Sequence, residues 1–279
     1  MLSKLPHLND DGLITPEVGP WAEHKYRLVW NYAKMFTSSM KGKWDSRIYI
    51  DIYSGAGRSK IRDSNTIVPA SPLLALEIPH PFDKYIYCEG NHEKIKALKE
   101  RVKRDYPTAN AHYIEGDITN QVKQVLDNIP GTGKLLAFCF IDPYRIKNFN
   151  FQIIRDLSTK FMDFMVLIPT YMDANRNEIQ YSEESNISIE DFTGDNNWRE
   201  KWNQVDPQIK KFGLFVADLF GKSMSQLGYI YDGPQSMVEI RFIGRNLPLY
   251  HLAFFSRHRL GMKFWKETQK YSTDQGELF

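Results

Sequence analysis

The chain has 279 residues, enough for one large α/β domain or for a core carrying a cap. Hydrophobic residues make up 42% and charged residues 25%, the proportions of a folded soluble protein. A formal net charge of +2, from 36 basic and 34 acidic residues, excludes a global polycation that would bind nucleic acid by counterion release alone; a local basic groove stays open.

Aromatic residues reach 14%, which implies either a surface for stacking or a core rich in Tyr and Phe. Cys88 and Cys139 lie in apolar runs, outside any CxxC or Cys/His cluster, and read as reduced core thiols. His24, His112, His251 and His258 have no metal-ligand spacing. No apolar run approaches the roughly 18 residues of a membrane span, and the N-terminus has no signal-peptide core. The expectation is a soluble cytoplasmic protein with no membrane partner.

Residues 1–20 are rich in turn formers and read as an extended arm. Residues 21–40 repeat apolar side chains at helical spacing. Residues 47–52 then form a strand, 54–57 a turn, 58–69 a polar loop, and 71–78 a short helix with Pro72 in its first turn. Strands at 85–88, 112–114, 135–141 and 164–168 alternate with helices at 92–105, 121–129 and 151–158. That alternation predicts right-handed βαβ units and a mostly parallel sheet. The apolar runs LLAFCFI and FMVLI suit strands buried on both faces.

The end of the chain breaks the alternation. Residues 236–243 and 249–256 are strand-like, joined by Gly244-Arg245-Asn246-Leu247-Pro248, which predicts an antiparallel hairpin. A parallel sheet closed this way resembles the Rossmann-like class I methyltransferase fold, which is the expected fold class. Residues 1–46 are then an N-terminal arm and helix, 47–170 and 236–279 the core, and 171–235 an insertion or cap, too long for a plain connection. The cap turns aromatic at Trp198, Trp202, Phe212 and Phe215, with a helix expected over 212–220.

Four motifs carry chemistry. The first is Asp51-Ile52-Tyr53-Ser54-Gly55-Ala56-Gly57, directly after the first strand. Gly55 and Gly57 let backbone approach a ligand where a Cβ would clash, and Asp51 is placed to anchor the charged amino-acid part of a cofactor. The alternative is a tight turn in some other α/β protein. The second is Glu89, which ends the strand at 85–88 and can accept both hydroxyls of a ribose; it stands further from the glycines than the usual interval of about 20 residues, with the 58–69 loop making up the excess. The third is Gly116-Asp117, where Asp117 either meets an adenine amino group or caps the next helix, and both can hold at once. The fourth is Asp142-Pro143-Tyr144, after the most apolar strand. A carboxylate and a rigid proline can accept the hydrogens of a conjugated amino group, while the tyrosine stacks on the base. Trp21 and Lys25, at the start of the first helix, are candidates to cover the cofactor's methionine end; the alternative is an amphipathic helix that simply buries its Trp. A basic stretch, Arg257-His258-Arg259 with Lys263 and Lys266, reads as a solvated helix start rather than a phosphate site.

The glycine motif resembles D/E-x-F/Y-x-G-x-G of amino-group methyltransferases. The fourth motif resembles D/N-P-P-Y/F of enzymes that methylate exocyclic amino groups of bases, with one proline missing. Together with V-G-P-W-A-E-x-K at 18–25 and A-S-P-L-L-A-L at 70–76, these pieces are similar to the three-Cys-motif partner family. Most members have Gly after D-P-Y, where this chain has Arg145. The resemblance implies S-adenosyl-L-methionine as cofactor through Asp51, Tyr53, Ser54, Gly55, Gly57, Glu89 and Asp117, with catalysis by Asp142, Pro143 and Tyr144. It also implies a radical-type partner with a three-cysteine motif. Two functions follow: a methyltransferase acting on an amino group, plausibly of a nucleic-acid base, or a non-catalytic nucleotide-binding subunit whose insertion docks that partner.

Overall fold

The computed structural model describes residues 2–208, 210–242, 244 and 246–270. Ile243 and Arg245 of the expected hairpin, and the core segment from residue 271 onward, lie outside them. The chain opens with β1 (Glu17–Val18), α1 (Ala22–Met40) and β2 (Ser46–Ile52). It continues through β3 (Arg58–Ile61), β4 (Ile67–Pro69), α2 (Ser71–Leu76), β5 (Lys84–Glu89), α3 (His92–Asp105), β6 (Ala111–Glu115) and α4 (Ile118–Asp127). Then come β7 (Leu135–Ile141), α5 (Gln152–Leu157), β8 (Met162–Ile168), the short helices α6 (Glu178–Ser182), α7 (Ser188–Thr193) and α8 (Trp198–Asn203), and the longer α9 (Phe212–Gln226). The last elements are β9 (Val238–Phe242), β10 (Leu247–Phe255) and α10 (Arg259–Lys270).

Seven strands form one sheet in the order β6-β5-β2-β7-β8-β10-β9. β10 runs antiparallel to both β8 and β9, and the other pairings are parallel. This is the expected Rossmann-like class I methyltransferase fold. The terminal hairpin is tighter than expected: β10 begins at Leu247, and Ser236 belongs to a 3-10 turn before β9.

The side-chain period of two divides the core. In β2, Ile48, Ile50 and Ile52 face α4, α5 and α9, while Tyr49 faces α1, α2 and α10. β5 puts Ile86 and Cys88 on the first face and Tyr85 and Tyr87 on the second; β7 does the same with Cys139 and Phe138. Across β2 and β5 the first face is thus aliphatic with a cysteine and the second carries tyrosines, although β8 and β10 add Phe164 and Phe255 to the first. Tyr32 of α1 lies 4.8 Å from Phe138 and 4.5 Å from Phe254, ring to ring. Much of the high aromatic content is therefore core. Both cysteines are free and buried.

The expectation of a polar loop at 58–69 is corrected. These residues form the β3–β4 hairpin, and β1 from the arm adds a third, parallel strand. The signal was the alternation in Arg58-Ser59-Lys60-Ile61, whose second and fourth residues are buried, hidden among charges. In the region 171–235, α9 lies directly on the face of Ile48, Ile50 and Ile52 through Val216, Ala217 and Phe220. Trp198 and Trp202 pack edge-on against Phe212 at 5.8 and 5.2 Å, which ties α8 to α9. No helix among the described residues is long and apolar enough to cross a membrane.

Candidate active site

Strand order reverses between β2 and β7, so their carboxyl ends diverge and leave a crevice, the place where ligands bind in open α/β sheets. A cleft of about 990 Å³ opens there. Its wall contains Tyr53, Ser54 and Gly55 from the loop after β2, Glu89 from the tip of β5 and Asp117 from the turn after β6. Asp142, Pro143 and Tyr144 follow β7, and Trp21 and Lys25 reach in from the start of α1. Ten of the sequence-derived site residues thus meet in one cavity. Asp51 and Gly57 do not reach its surface.

The loop geometry explains that division. The N–H groups of Tyr53 and Ser54 both donate to the Cys88 carbonyl, at 2.9 and 3.0 Å, and draw the loop over β5. Tyr53 has φ +70, a left-handed conformation that costs a non-glycine residue about 1–3 kcal/mol. Its hydroxyl donates to the Asn148 carbonyl and helps hold it there. Gly55 has φ +66 and open space where a Cβ would stand. Gly57 has φ +82, and a Cβ would stand 2.8 Å from Leu98 Cδ1 and 3.1 Å from Leu73 Cγ. Gly57 therefore serves the packing of the loop on α2 and α3, not a ligand.

Asp51 lies on the tyrosine face and is fully buried. Tyr49 donates its hydroxyl to Oδ2 at 2.8 Å. Burial pushes the carboxyl up to about 7, against the hydroxyls of Ser71 and Tyr49, which favour the ionised form. Oδ1 of Asp51 and Oγ of Ser54 are buried without a hydrogen-bond partner among the described residues. Glu89 accepts from the N–H of Gly55 and of Asn91, both at 2.9 Å, one on each oxygen. Each oxygen retains a lone pair for a further donor. Asp117 caps α4 by accepting from the Thr119 N–H at 2.8 Å.

The other end of the cleft was less legible. Lys25 forms an ion pair with Asp142 Oδ2. Burial lowers the ammonium's pKa, but the Asp142 carboxylate outweighs it and holds Lys25 protonated well above the usual lysine range. Its Nζ lies 5.1 Å from the Tyr26 ring centroid and 6.0 Å from that of Tyr250. Tyr26 shares a 3.0 Å hydrogen bond with Ser59, whereas the buried Tyr250 hydroxyl has no partner among the described residues. Tyr250 comes from β10, far from the other motifs in sequence, and nothing local marked it. At the mouth, Tyr144 is 81% exposed, with the Arg145 guanidinium 5.5 Å from its ring centroid. Met172, on a π-helical turn at Thr170–Ala174, a form common at functional sites, lines the same cleft, as does Arg176.

A second residue missed in the sequence is Arg101, wholly buried on α3. It donates to Asp11 through two nitrogens and to the Ala56 carbonyl at 2.7 Å, clasping the N-terminal arm to the glycine loop. That hydrogen bonding holds the Asp11 carboxyl well below its usual range, against a smaller effect of burial. The basic stretch near the C-terminus is structural at one point: Arg257 donates to the Leu227 carbonyl and lies over the Tyr229 ring. Among the described residues no cluster of His, Cys, Asp and Glu could hold a metal ion.

No family model and no curated protein matches this chain. Solved structures share its outline. Protein LPL1258 from Legionella pneumophila, of the DUF519 family, is 11% identical with a TM-score of 0.49, over 90% of this chain and 94% of that one. TomG, an O-methyltransferase of tomaymycin synthesis from Streptomyces achromogenes in complex with SAM, is 11% identical with a TM-score of 0.44, over 85% and 81%. Cofactor-bound Rv0187 from MTB is 10% identical with a TM-score of 0.43, over 92% and 85%. Similarities this distant assign no residue roles.

Proposed function

We propose that this chain is an S-adenosylmethionine-dependent methyltransferase acting on an exocyclic amino group of a nucleic-acid base. The observation that carries the reading is the single cleft at the β2/β7 crevice, which joins the Tyr53–Gly55 loop and Glu89 to Asp142-Pro143-Tyr144. The site residues suit the cofactor. Ser54, which lines the cleft, leaves a buried hydroxyl oxygen without a partner among the described residues, a deficit that an amino-acid ammonium would remove. Glu89 has lone pairs free for a ribose diol, and Gly55 leaves the space above the loop open. Asp117 has one oxygen on its helix cap and one available for an adenine amino group. Trp21 lies against the same pocket. When bound, S-adenosylmethionine supplies a sulfonium-activated methyl group.

The chain's own part is alignment. Asp142, ion-paired with Lys25, accepts a hydrogen from the amino group, and Pro143 stiffens the turn that carries it. Tyr144 offers an exposed ring for stacking on a base removed from its helix. Proximity of this kind can supply several kcal/mol of a barrier. In this reading the radical-type three-cysteine partner meets the cap, where Ile179 and Ile187 stand 87% and 61% exposed.

Titration calorimetry with S-adenosylmethionine and S-adenosylhomocysteine tests the cofactor. Wild type binds both, and Glu89→Ala weakens both by at least about tenfold, as expected for lost charged hydrogen bonds. Absence of binding to the wild-type chain would overturn the reading.

A further inference from the structure

The Lys25–Asp142 pair presents two unlike groups side by side at the inner end of the cleft. Lys25 has three N–H donors and no acceptor, and one donor is spent on Asp142 Oδ2. Asp142 Oδ1 accepts no hydrogen bond from the described residues, and its side chain keeps 22% exposure. A donor and an acceptor thus stand next to each other. The buried Tyr250 hydroxyl, without a hydrogen-bond partner among the described residues and on the same wall, marks a place where a ligand's polar atom is needed.

We propose that Lys25 and Asp142 together read the edge of the accepting base, Asp142 taking a hydrogen of the amino group and Lys25 donating to the ring nitrogen beside it. This rests on the methyltransferase reading and narrows its substrate to adenine or cytosine. In both, the exocyclic amino group and an unprotonated ring nitrogen share one carbon on the pairing edge. Guanine carries an N–H there, which would face the Lys25 ammonium donor to donor; its only other flanking nitrogen lies toward the sugar. Uracil and thymine have no amino group. A fixed ammonium facing a donor leaves both unpaired in a buried site, a mismatch that discriminates more strongly than any loss of apolar contact.

The experiment uses the full chain with methyl-deuterated S-adenosylmethionine and homopolymers of A, C, G and U or T as RNA and DNA, with nucleosides identified by mass spectrometry. Label on the amino nitrogen of adenosine or cytidine is expected. Label on guanosine or on an oxygen overturns the proposal, as does cofactor binding with no labelled base. A wild type that fails to bind the cofactor in calorimetry instead overturns the underlying methyltransferase reading.

The edge contact has its own readout. Replacing the ring nitrogen by C–H, in 1-deazaadenine or 3-deazacytosine, should lower wild-type kcat/KM by about tenfold or more. Lys25→Met should lose as much on the natural base and nothing further on the deaza base, while S-adenosylhomocysteine affinity stays within about twofold. Lys25→Arg should retain the preference for the natural base. Equal losses for Lys25→Met on both bases would show that Lys25 acts only through Asp142, and the edge reading would fall.

Discussion

The two glycines of the Gly55-Ala56-Gly57 loop predict opposite consequences for the same small substitution. Gly57→Ala adds a Cβ 2.8 Å from Leu98 Cδ1 and 3.1 Å from Leu73 Cγ, at φ +82. Both neighbours are buried in the half of the core that holds Tyr49. The left-handed conformation costs alanine about 1–2 kcal/mol, and overpacking a filled core costs about 1–3 kcal/mol more. Gly57→Ala should therefore lose about 2–5 kcal/mol. Gly55→Ala carries the backbone cost without the clash, because among the described residues nothing stands within 4 Å of its added Cβ. It should lose about 1–2 kcal/mol while placing a methyl group in the cleft, so its larger effect should be on cofactor affinity. Urea unfolding followed by tryptophan fluorescence gives the stabilities, and calorimetry with S-adenosylhomocysteine gives the affinities. Equal destabilisation by the two variants, or undisturbed binding by Gly55→Ala, would refute the division of roles.

Buried Asp163 accepts the Tyr32 hydroxyl at 2.6 Å and is pushed up to about 6 by burial. Its folded pKa exceeds the unfolded 3.8, so its contribution is fully present below about pH 4 and is lost as pH rises toward 6. Asp163→Asn should remove this slope, raising stability relative to wild type by about 3 kcal/mol more at pH 7 than at pH 4; parallel pH profiles in urea unfolding would contradict this. Asp117→Ala should lose about 1 kcal/mol through the α4 cap, and Asp117→Ser should recover the stability without recovering affinity for S-adenosylhomocysteine; full recovery of both would leave Asp117 a cap only. Tyr144→Ala should leave stability within about 0.5 kcal/mol, since the ring is 81% exposed, yet lower turnover on a base at least tenfold. Turnover equal to wild type would remove Tyr144 from the site.

Much of the architecture was legible because its signals are local. The bounds of α3 and β7 match their periodicity, and the terminal hairpin announced an antiparallel end. The β3–β4 hairpin was not legible, because its buried residues alternate with charges and β1, its third strand, comes from across α1 in sequence. The candidate residues were legible as types: Glu89, Asp117 and Asp142 each stand at a strand's carboxyl end, where βαβ topology gathers side chains.

The sequence by itself determined that this chain alternates strands and helices and that a glycine loop and a D-P-Y turn stand at strand ends. Local propensity and period carry that information. Only the tertiary structure decided which residues those motifs meet. It placed Gly57 in the core and Gly55 in the cleft, although the two are separated by one residue. It put Asp51 behind the wall, on the tyrosine face. It set Lys25, 117 positions away, on Asp142, and brought Tyr250 beside them from the antiparallel strand. A motif states which groups are available, but burial, charge pairing and the space at a Cβ depend on contacts between distant segments, and no local pattern encodes those.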